Sequence, residues 1–312
     1  MRKKNLIILF LGVVAIVLLI YILDNRVIKN SISSINGSKK LQVTASFYPL
    51  YYFATQIGGD KADIRNITPA GAEPHDYEPT AQDIARIENS NMLILNGGIE
   101  AWGDKIKQNL SGKNVLIVVA GEGLLTRKLT ENGQTSSDPH VWLDPKVAKI
   151  EAGRIAQEFI KIDPASSSFY QNNEKQLDSK LDELDQAYKK GLANCKQKDI
   201  ITSHAAFGYL GKEYGLNQVS VAGLSPDEEP SAQQLTDVSN FAKQRHIKYI
   251  FFESLVSPKL SDTIATEVGA QTLVLDPLEG ISDTDMGKGR NYFTVMQDNL
   301  KNLQIALECS TQ

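Results

Sequence analysis

From residue 41 onward the sequence alternates short, β-branched runs with longer helix-patterned stretches, a rhythm that leaves few folds open. Strand and helix in turn make βαβ units, whose parallel strands are covered by helices on both faces. The fold class is therefore α/β. Predicted strands lie at 42–47, 63–67, 92–95 and 115–119 in a first half and at 200–202, 219–221, 249–252 and 272–275 in a second. Helices are predicted near 51–56, 81–89, 102–110 and 147–161, then near 207–214, 232–243, 259–268 and 292–307. Each half thus carries a roughly four-stranded parallel sheet. Between the halves, Phe169, Leu177, Leu181, Leu184 and Tyr188 recur at helical spacing among charged and amide residues, which predicts one amphipathic helix of about 25 residues. Asp163-Pro164 would start it and Gly191 stop it. Such a strut is stiffer than a Gly/Ser linker. The expectation is two lobes, 41–163 and 194–312, joined by a rigid linking helix at 164–193 with little room for hinge opening. A chain of 312 residues agrees with two domains of about 150 residues each.

The first forty residues read differently. Arg2-Lys3-Lys4 precedes an uncharged run from 6 to 23. That run is longer than the apolar region of a secretory signal, about 7 to 15 residues, and within the about 17 to 25 that span a bilayer. It predicts an N-terminal membrane anchor over 1–23 with Met1 inside and the rest exported; a cleaved signal is the alternative. No Ala-x-Ala follows the run, and no cysteine precedes Cys195, so a lipid-acylation site is not expected. Residues 24–40, rich in Ser, Asn, Lys and Ile without periodicity, read as a tether. An exported chain with two cysteines, Cys195 and Cys309, permits one disulfide, the alternative being two buried thiols. The net charge of -4 and scattered Lys and Arg exclude nucleic acid as a partner.

Chemistry concentrates on four histidines. His75, in Glu-Pro-His-Asp-Tyr-Glu-Pro, follows the second predicted strand. His140, in Asp-Pro-His-Val-Trp-Leu-Asp-Pro, follows the fourth, and His204, in Ser-His-Ala-Ala-Phe-Gly, follows the first strand of the second half. Ligands of open α/β sheets gather at the carboxyl ends of strands, so the three can converge between the lobes. Imidazole suits Zn, Cu, Ni or Fe, and three imidazoles with one carboxylate make a tetrahedral site. Asp276, at the end of an apolar strand in Leu-Val-Leu-Asp-Pro, is the leading carboxylate, followed by Glu253 and Glu73, with a water as a further option. A lone histidine is more often a hydrogen-bonded loop or core residue; three at strand ends reverse that preference. His246, between a helix and a strand at the opposite edge, reads as structural. Tyr77 and Trp142 would wall water from the ion or merely pack. Asp144 reads as a helix cap before Pro145 rather than a support for a ligand imidazole. The acidic run Asp227-Glu228-Glu229 suits the first turn of the following helix.

At these residues the chain resembles the metal-binding solute-binding proteins of ABC importers, whose members take up zinc or manganese. The resemblance spans residues 41–307. It is carried by Glu-Pro-His-Asp-Tyr-Glu-Pro-Thr, Asp-Pro-His-Val-Trp-Leu-Asp-Pro, Ser-His-Ala-Ala-Phe-Gly-Tyr-Leu and Gly-Leu-Ser-Pro-Asp-Glu-Glu-Pro-Ser, in family order. It implies two lobes on a long helix, the ligand set His75, His140, His204 and Asp276, Zn2+ as cargo, and an ABC permease with its ATPase subunit as partners. His at the third ligand position points to a zinc-type member, whereas manganese-type members tend to have a carboxylate there. Two departures stand out. The segment from 121 to 137 lacks the histidine-rich loop of many zinc-type members, and the lipoprotein cysteine is missing.

The expected function is capture of Zn2+ on the extracytoplasmic face by a monomer, with no enzymatic step. The alternatives are a manganese-binding importer component and a zinc hydrolase, which would keep three protein ligands and an open position for water. No His-Glu-x-x-His is present. A coexisting adhesin role is compatible with all of these.

Overall fold

A computed structural model describes residues 40–131 and 134–310; the expected anchor at 1–23, and the tether apart from Lys40, lie outside the described residues. The first lobe is built on β1 (Leu41–Ala45), β2 (Ala62–Asn66), β3 (Met92–Leu95) and β4 (Leu116–Val119), all parallel, in the order β2-β1-β3-β4. The second is built on β7 (Asp199–Thr202), β8 (Asn217–Ser220), β9 (Tyr249–Phe252) and β10 (Gln271–Val274), again parallel, in the order β10-β9-β7-β8. Met92–Leu95 is buried throughout, as a strand covered on both faces requires. In each sheet the chain leaves the first strand for one neighbour and then crosses to the other side, and that reversal opens a crevice at the carboxyl ends.

Helices α1 (Tyr48–Gly58), α2 (Ala81–Glu88), α3 (Gly103–Asn109) and α4 (Pro145–Ile162) flank the first sheet. Helices α6 (Gly208–Tyr214), α7 (Ala232–Arg245), α8 (Lys259–Val268), the short α9 (Asp283–Gly287) and α10 (Tyr292–Ala306) belong to the second lobe. Between them runs α5 (Ser167–Leu192), burying Tyr170, Leu177, Leu181, Leu184, Tyr188 and Leu192 on one face. Gly191 does not stop this helix. A side chain there would meet Leu300 and Gln304 of α10 at 3.0 and 2.8 Å, so the glycine serves close helix packing.

One core cluster runs from Val43 and Phe53 through Phe159, Leu181 and Tyr188 to Met296 and Leu303, joining both lobes and the strut. The Tyr188 hydroxyl donates to the Met296 carbonyl at 2.7 Å, and the Tyr292 hydroxyl to the Trp142 carbonyl at 2.6 Å. Truncating a fully buried leucine here, Leu181 for instance, would cost about 2–5 kcal/mol. A continuous dry core resists wide separation of the lobes. Cys195 and Cys309 form the disulfide that the sequence permits, tying the end of α5 to the residues after α10.

Two local features depart from the sequence reading. A hairpin, β5 (Lys128–Glu131) with β6 (Gln134–Ser137), occupies the segment ahead of His140. The run Asp227-Glu228-Glu229 lies before α7 rather than in its first turn. Ser231 caps α7 and Gln234 returns the bond, a capping box that fixes the start after Pro230. Asp144 does cap α4, accepting from the Lys146 amide. His246 takes a left-handed conformation (φ 53°) where α7 turns toward β9. Among the described residues no helix is long and apolar enough to cross a membrane.

Candidate metal centre

His75 stands on the loop after β2 and His140 on the loop after the hairpin; His204 follows β7, which flanks the reversal point of the second sheet. The structure brings these three histidines together. Their carboxylate companion is Glu279, and Asp276 is not in the group. His75 Nε2 lies 3.4 Å from His140 Nε2 and 3.3 Å from Glu279 Oε1. His140 Nε2 is 3.1 Å from the same oxygen and 3.3 Å from His204 Nε2, which is itself 3.3 Å from Glu279 Oε1. Five of the six separations among these atoms are thus 3.1–3.4 Å, and all four atoms lie within 4.8 Å of one another; a regular tetrahedron of edge about 3.3 Å has its centre about 2.0 Å from each vertex, the length of a Zn–N or Zn–O bond. Each lobe supplies two of the four groups. His140 and His204 are wholly buried, whereas the His75 side chain keeps 10% of its exposure and is the ligand nearest solvent.

Carboxylates stand behind two of the imidazoles. His140 Nδ1 lies 2.9 Å from Asp138 Oδ1, which also accepts the His140 amide. His204 Nδ1 lies 2.5 Å from Glu253 Oε1, and the Ser203 hydroxyl donates to that same oxygen. A carboxylate accepting from Nδ1–H leaves Nε2 with its lone pair for a metal. Glu253, a candidate ligand by sequence, thus orients His204 from behind. Glu73, another candidate, accepts the His75 amide at 3.2 Å; burial and the nearby Glu279 push its carboxyl up to about 9.

Asp276 is displaced from the cluster by the turn it builds. Its Oδ1 accepts the Leu278 amide at 2.7 Å, and Asn299 of α10 clamps its backbone, accepting from the amide and donating to the carbonyl. Leu278 is left-handed, φ 60°, a conformation that costs a non-glycine residue of order 1–3 kcal/mol and persists only under such constraint. The Trp142 indole donates to the Pro277 carbonyl at 2.8 Å, holding this turn from the other lobe. The chain therefore reverses at Leu278, and the residue aimed into the cluster is Glu279. Glu279 Oε2 has no partner and remains available as a second donor. Trp142 also packs 5.2 Å from the His140 ring and 4.7 Å from Phe47, walling the centre from water. Tyr77 instead donates to Asp83, which completes the Thr80 capping box of α2.

Without metal, charge is concentrated in the cluster. Burial opposes an imidazolium at His204, but Glu253 and Glu279 outweigh it and hold its pKa well above 6.5. Burial likewise opposes charge on His140, and Asp138 and Glu279 raise it. Burial pushes the Glu279 carboxyl up, yet His204, His140 and His75 together hold it well below the usual range. The centre is thus an ionised carboxylate ringed by imidazoles whose protons a metal cation replaces.

Similar proteins carry this chemistry in their names. The profile of the family described as ZnuA, zinc-uptake complex component A, periplasmic, matches residues 43–306. The high-affinity zinc uptake system protein ZnuA of Bacillus subtilis is 39% identical over 280 residues, covering 86% of this chain and 88% of that protein. The zinc-binding lipoprotein AdcA of Streptococcus pneumoniae is 37% identical over 278 residues, 85% of this chain and 55% of AdcA. The chain thus spans about half the length of the AdcA relatives it matches. Among solved structures, the Zn(II)-bound ZnuA-like domain of Streptococcus pneumoniae AdcA is 38% identical with a TM-score of 0.75, over 86% of this chain and 100% of that domain. The laminin-binding protein Lmb of Streptococcus agalactiae, described as an adhesin with metal-transporting activity, is 31% identical with a TM-score of 0.77, over 86% of this chain and 99% of that one. Matched by one family profile across most of its length, and by a relative across most of both chains, the protein belongs to the ZnuA family of zinc-uptake components.

Proposed function

We propose that this chain is the extracytoplasmic solute-binding component of an ABC-type zinc importer, taking Zn2+ as cargo between its lobes and passing it to a membrane permease driven by an ATPase subunit. The observation that carries this reading is the convergence of three imidazole Nε2 atoms and Glu279 Oε1 within 4.8 Å of one another, five of their six spacings being 3.1–3.4 Å. We assign the ligands as His75, His140, His204 and Glu279. Neutral nitrogen donors with a single carboxylate favour zinc over manganese, which suits oxygen-rich sites. Four protein groups fill a tetrahedron and leave no vertex reserved for water, which separates this centre from a zinc hydrolase.

Membrane attachment is supported by the lipoprotein relatives, and the basic cluster and apolar run at residues 2–23 would supply it here as an uncleaved helix. We read the chain as a monomer, with lobes at 41–163 and 194–312 on the 164–193 strut.

The test is metal analysis of the full purified chain, with competitive titration of Zn2+ and Mn2+. One zinc per chain is expected, with zinc preferred over manganese and His204→Ala and Glu279→Gln both weakened. Tighter manganese binding, or undiminished zinc affinity in His204→Ala, would overturn the assignment.

A further inference from the structure

Beneath His140 a second set of contacts crosses between the lobes. Asp138, which holds His140 Nδ1 through Oδ1, receives the Arg127 Nε at 3.3 Å on Oδ2. The Arg127 carbonyl accepts the Asp138 amide at 3.0 Å, so the two residues are joined by backbone as well as side chain. From α6, four residues beyond His204 at its nearest, the other lobe grips this pair. The Tyr209 hydroxyl accepts the Arg127 amide at 3.0 Å and lies 3.2 Å from the Asp138 carbonyl, to which it donates. The Tyr209 ring lies under the Arg127 guanidinium, whose Cζ is 5.8 Å from the ring centroid. Gly208 makes the approach achievable: a Cβ there would stand 2.5–2.7 Å from the Arg127 guanidinium atoms.

We propose that Arg127 and Tyr209 form an interlobe clasp that positions His140 for the metal through Asp138. It rests on the zinc reading above. The reasoning is geometric. Asp138 is buried, and its two oxygens have different tasks, one on the imidazole and one on the guanidinium. With Oδ2 tied to Arg127, the carboxylate cannot rotate away from Nδ1, and His140 Nε2 stays aimed at the cluster centre. Without Arg127, Oδ2 of this buried carboxylate would lose its ion-pair partner among the described residues, and the carboxylate would be held through Oδ1 alone. Because Tyr209 and His204 lie on one segment of the second lobe, the clasp registers the His140 loop against His204. Movement of α6 relative to the hairpin loosens one ligand as it displaces another. Arg127 and Tyr209 are positioning residues: neither touches the ion.

The experiment measures Zn2+ affinity and release on the full chain by chelator competition, comparing wild type with Arg127→Met, Arg127→Lys, Tyr209→Phe, Asp138→Asn and the Arg127→Met/Asp138→Asn double variant. Loss of a group that orients a metal ligand costs about 10–100-fold in affinity. Arg127→Met and Tyr209→Phe should each weaken zinc by about 10-fold or more, mainly through faster release, with Arg127→Lys partly recovering. In the double variant Arg127→Met should add less than about 3-fold to Asp138→Asn, because it acts through that carboxylate. A zinc-binding wild type with both single variants within about 3-fold of it overturns the clasp, as do losses that multiply in full in the double variant. Should Arg127→Met fail to fold, Tyr209→Phe, which removes one hydroxyl and keeps the ring, decides between these outcomes. Failure of wild type to bind zinc sinks the site reading itself, and the clasp with it.

Discussion

Lowering the pH should weaken zinc capture well above the pH at which a free histidine titrates. His204 is held well above 6.5 by Glu253 and Glu279 against the effect of burial, and His140 is raised by Asp138 and Glu279. Between pH 6.5 and the raised pKa of His204 the metal-free centre therefore carries a proton that Zn2+ must displace from an Nε2. Each displaced proton makes the affinity fall tenfold per unit drop in pH, about 1.36 kcal/mol. As pH falls from the raised pKa of His204 toward 6.5 the zinc Kd should rise about tenfold per pH unit for one proton, and more steeply once His140 joins. The sign follows from linkage. A histidine with a raised folded pKa contributes stability to the metal-free protein that is complete below 6.5 and lost as pH rises through the raised value. Zinc thus takes the place of a proton as the partner of Glu279. Calorimetric titration at pH 7.5 in buffers of different protonation enthalpy counts the protons released. An apparent enthalpy that does not depend on the buffer, or a Kd that stays level as pH is raised above 6.5, would refute the reasoning.

Three further outcomes are expected. Glu279→Gln should lose more than about 100-fold in zinc affinity, beyond the about 10–100-fold of a supporting residue, while Asp276→Asn, which can still accept the Leu278 amide, should stay within about 3-fold; the reverse order in the same titration would restore Asp276 as the ligand. Glu151 on α4 is fully buried with neither oxygen bonded, and desolvation lifts its pKa from 4.5 to about 8. The folded state thus holds a proton that the unfolded state releases, so stability falls as pH rises from about 4.5 to 8, by of order 3–5 kcal/mol in total. Glu151→Gln should remove that slope in urea melts at pH 5 and pH 9, and an unchanged slope would show that the carboxyl finds a partner. Converting Cys195 and Cys309 to serine opens a link across 114 residues and should cost about 2–5 kcal/mol in denaturant unfolding; an unaltered midpoint would mean that the link restrains little.

Much of this protein was legible in its residues because the signals are local. Strand and helix periodicity depends on neighbours a few positions away, so two parallel sheets and the strut could be read before any contact was known. His75 and His204 were legible because each lies in the segment that leaves the carboxyl end of a parallel strand, and His140 because it comes after the last strand of the first sheet; parallel strands place their carboxyl ends together. Glu279 had no such signal. It lies three residues beyond the more conspicuous strand-end Asp276, and its direction is set by Leu278 in a left-handed turn, by Asn299 from α10 and by Trp142 from the other lobe. The hairpin before His140 was missed because four-residue strands of Lys, Thr, Gln and Ser carry little apolar alternation. Gly191 looked like a stop signal because its contact with α10 joins positions more than a hundred residues apart. The sequence by itself determined the fold class and the three imidazoles, since these follow from short-range pattern. Which carboxylate joins the three imidazoles, which carboxylates stand behind His140 and His204, and the contacts beneath His140 were decided by tertiary structure, because each depends on which distant groups a turn or a helix brings within hydrogen-bond range.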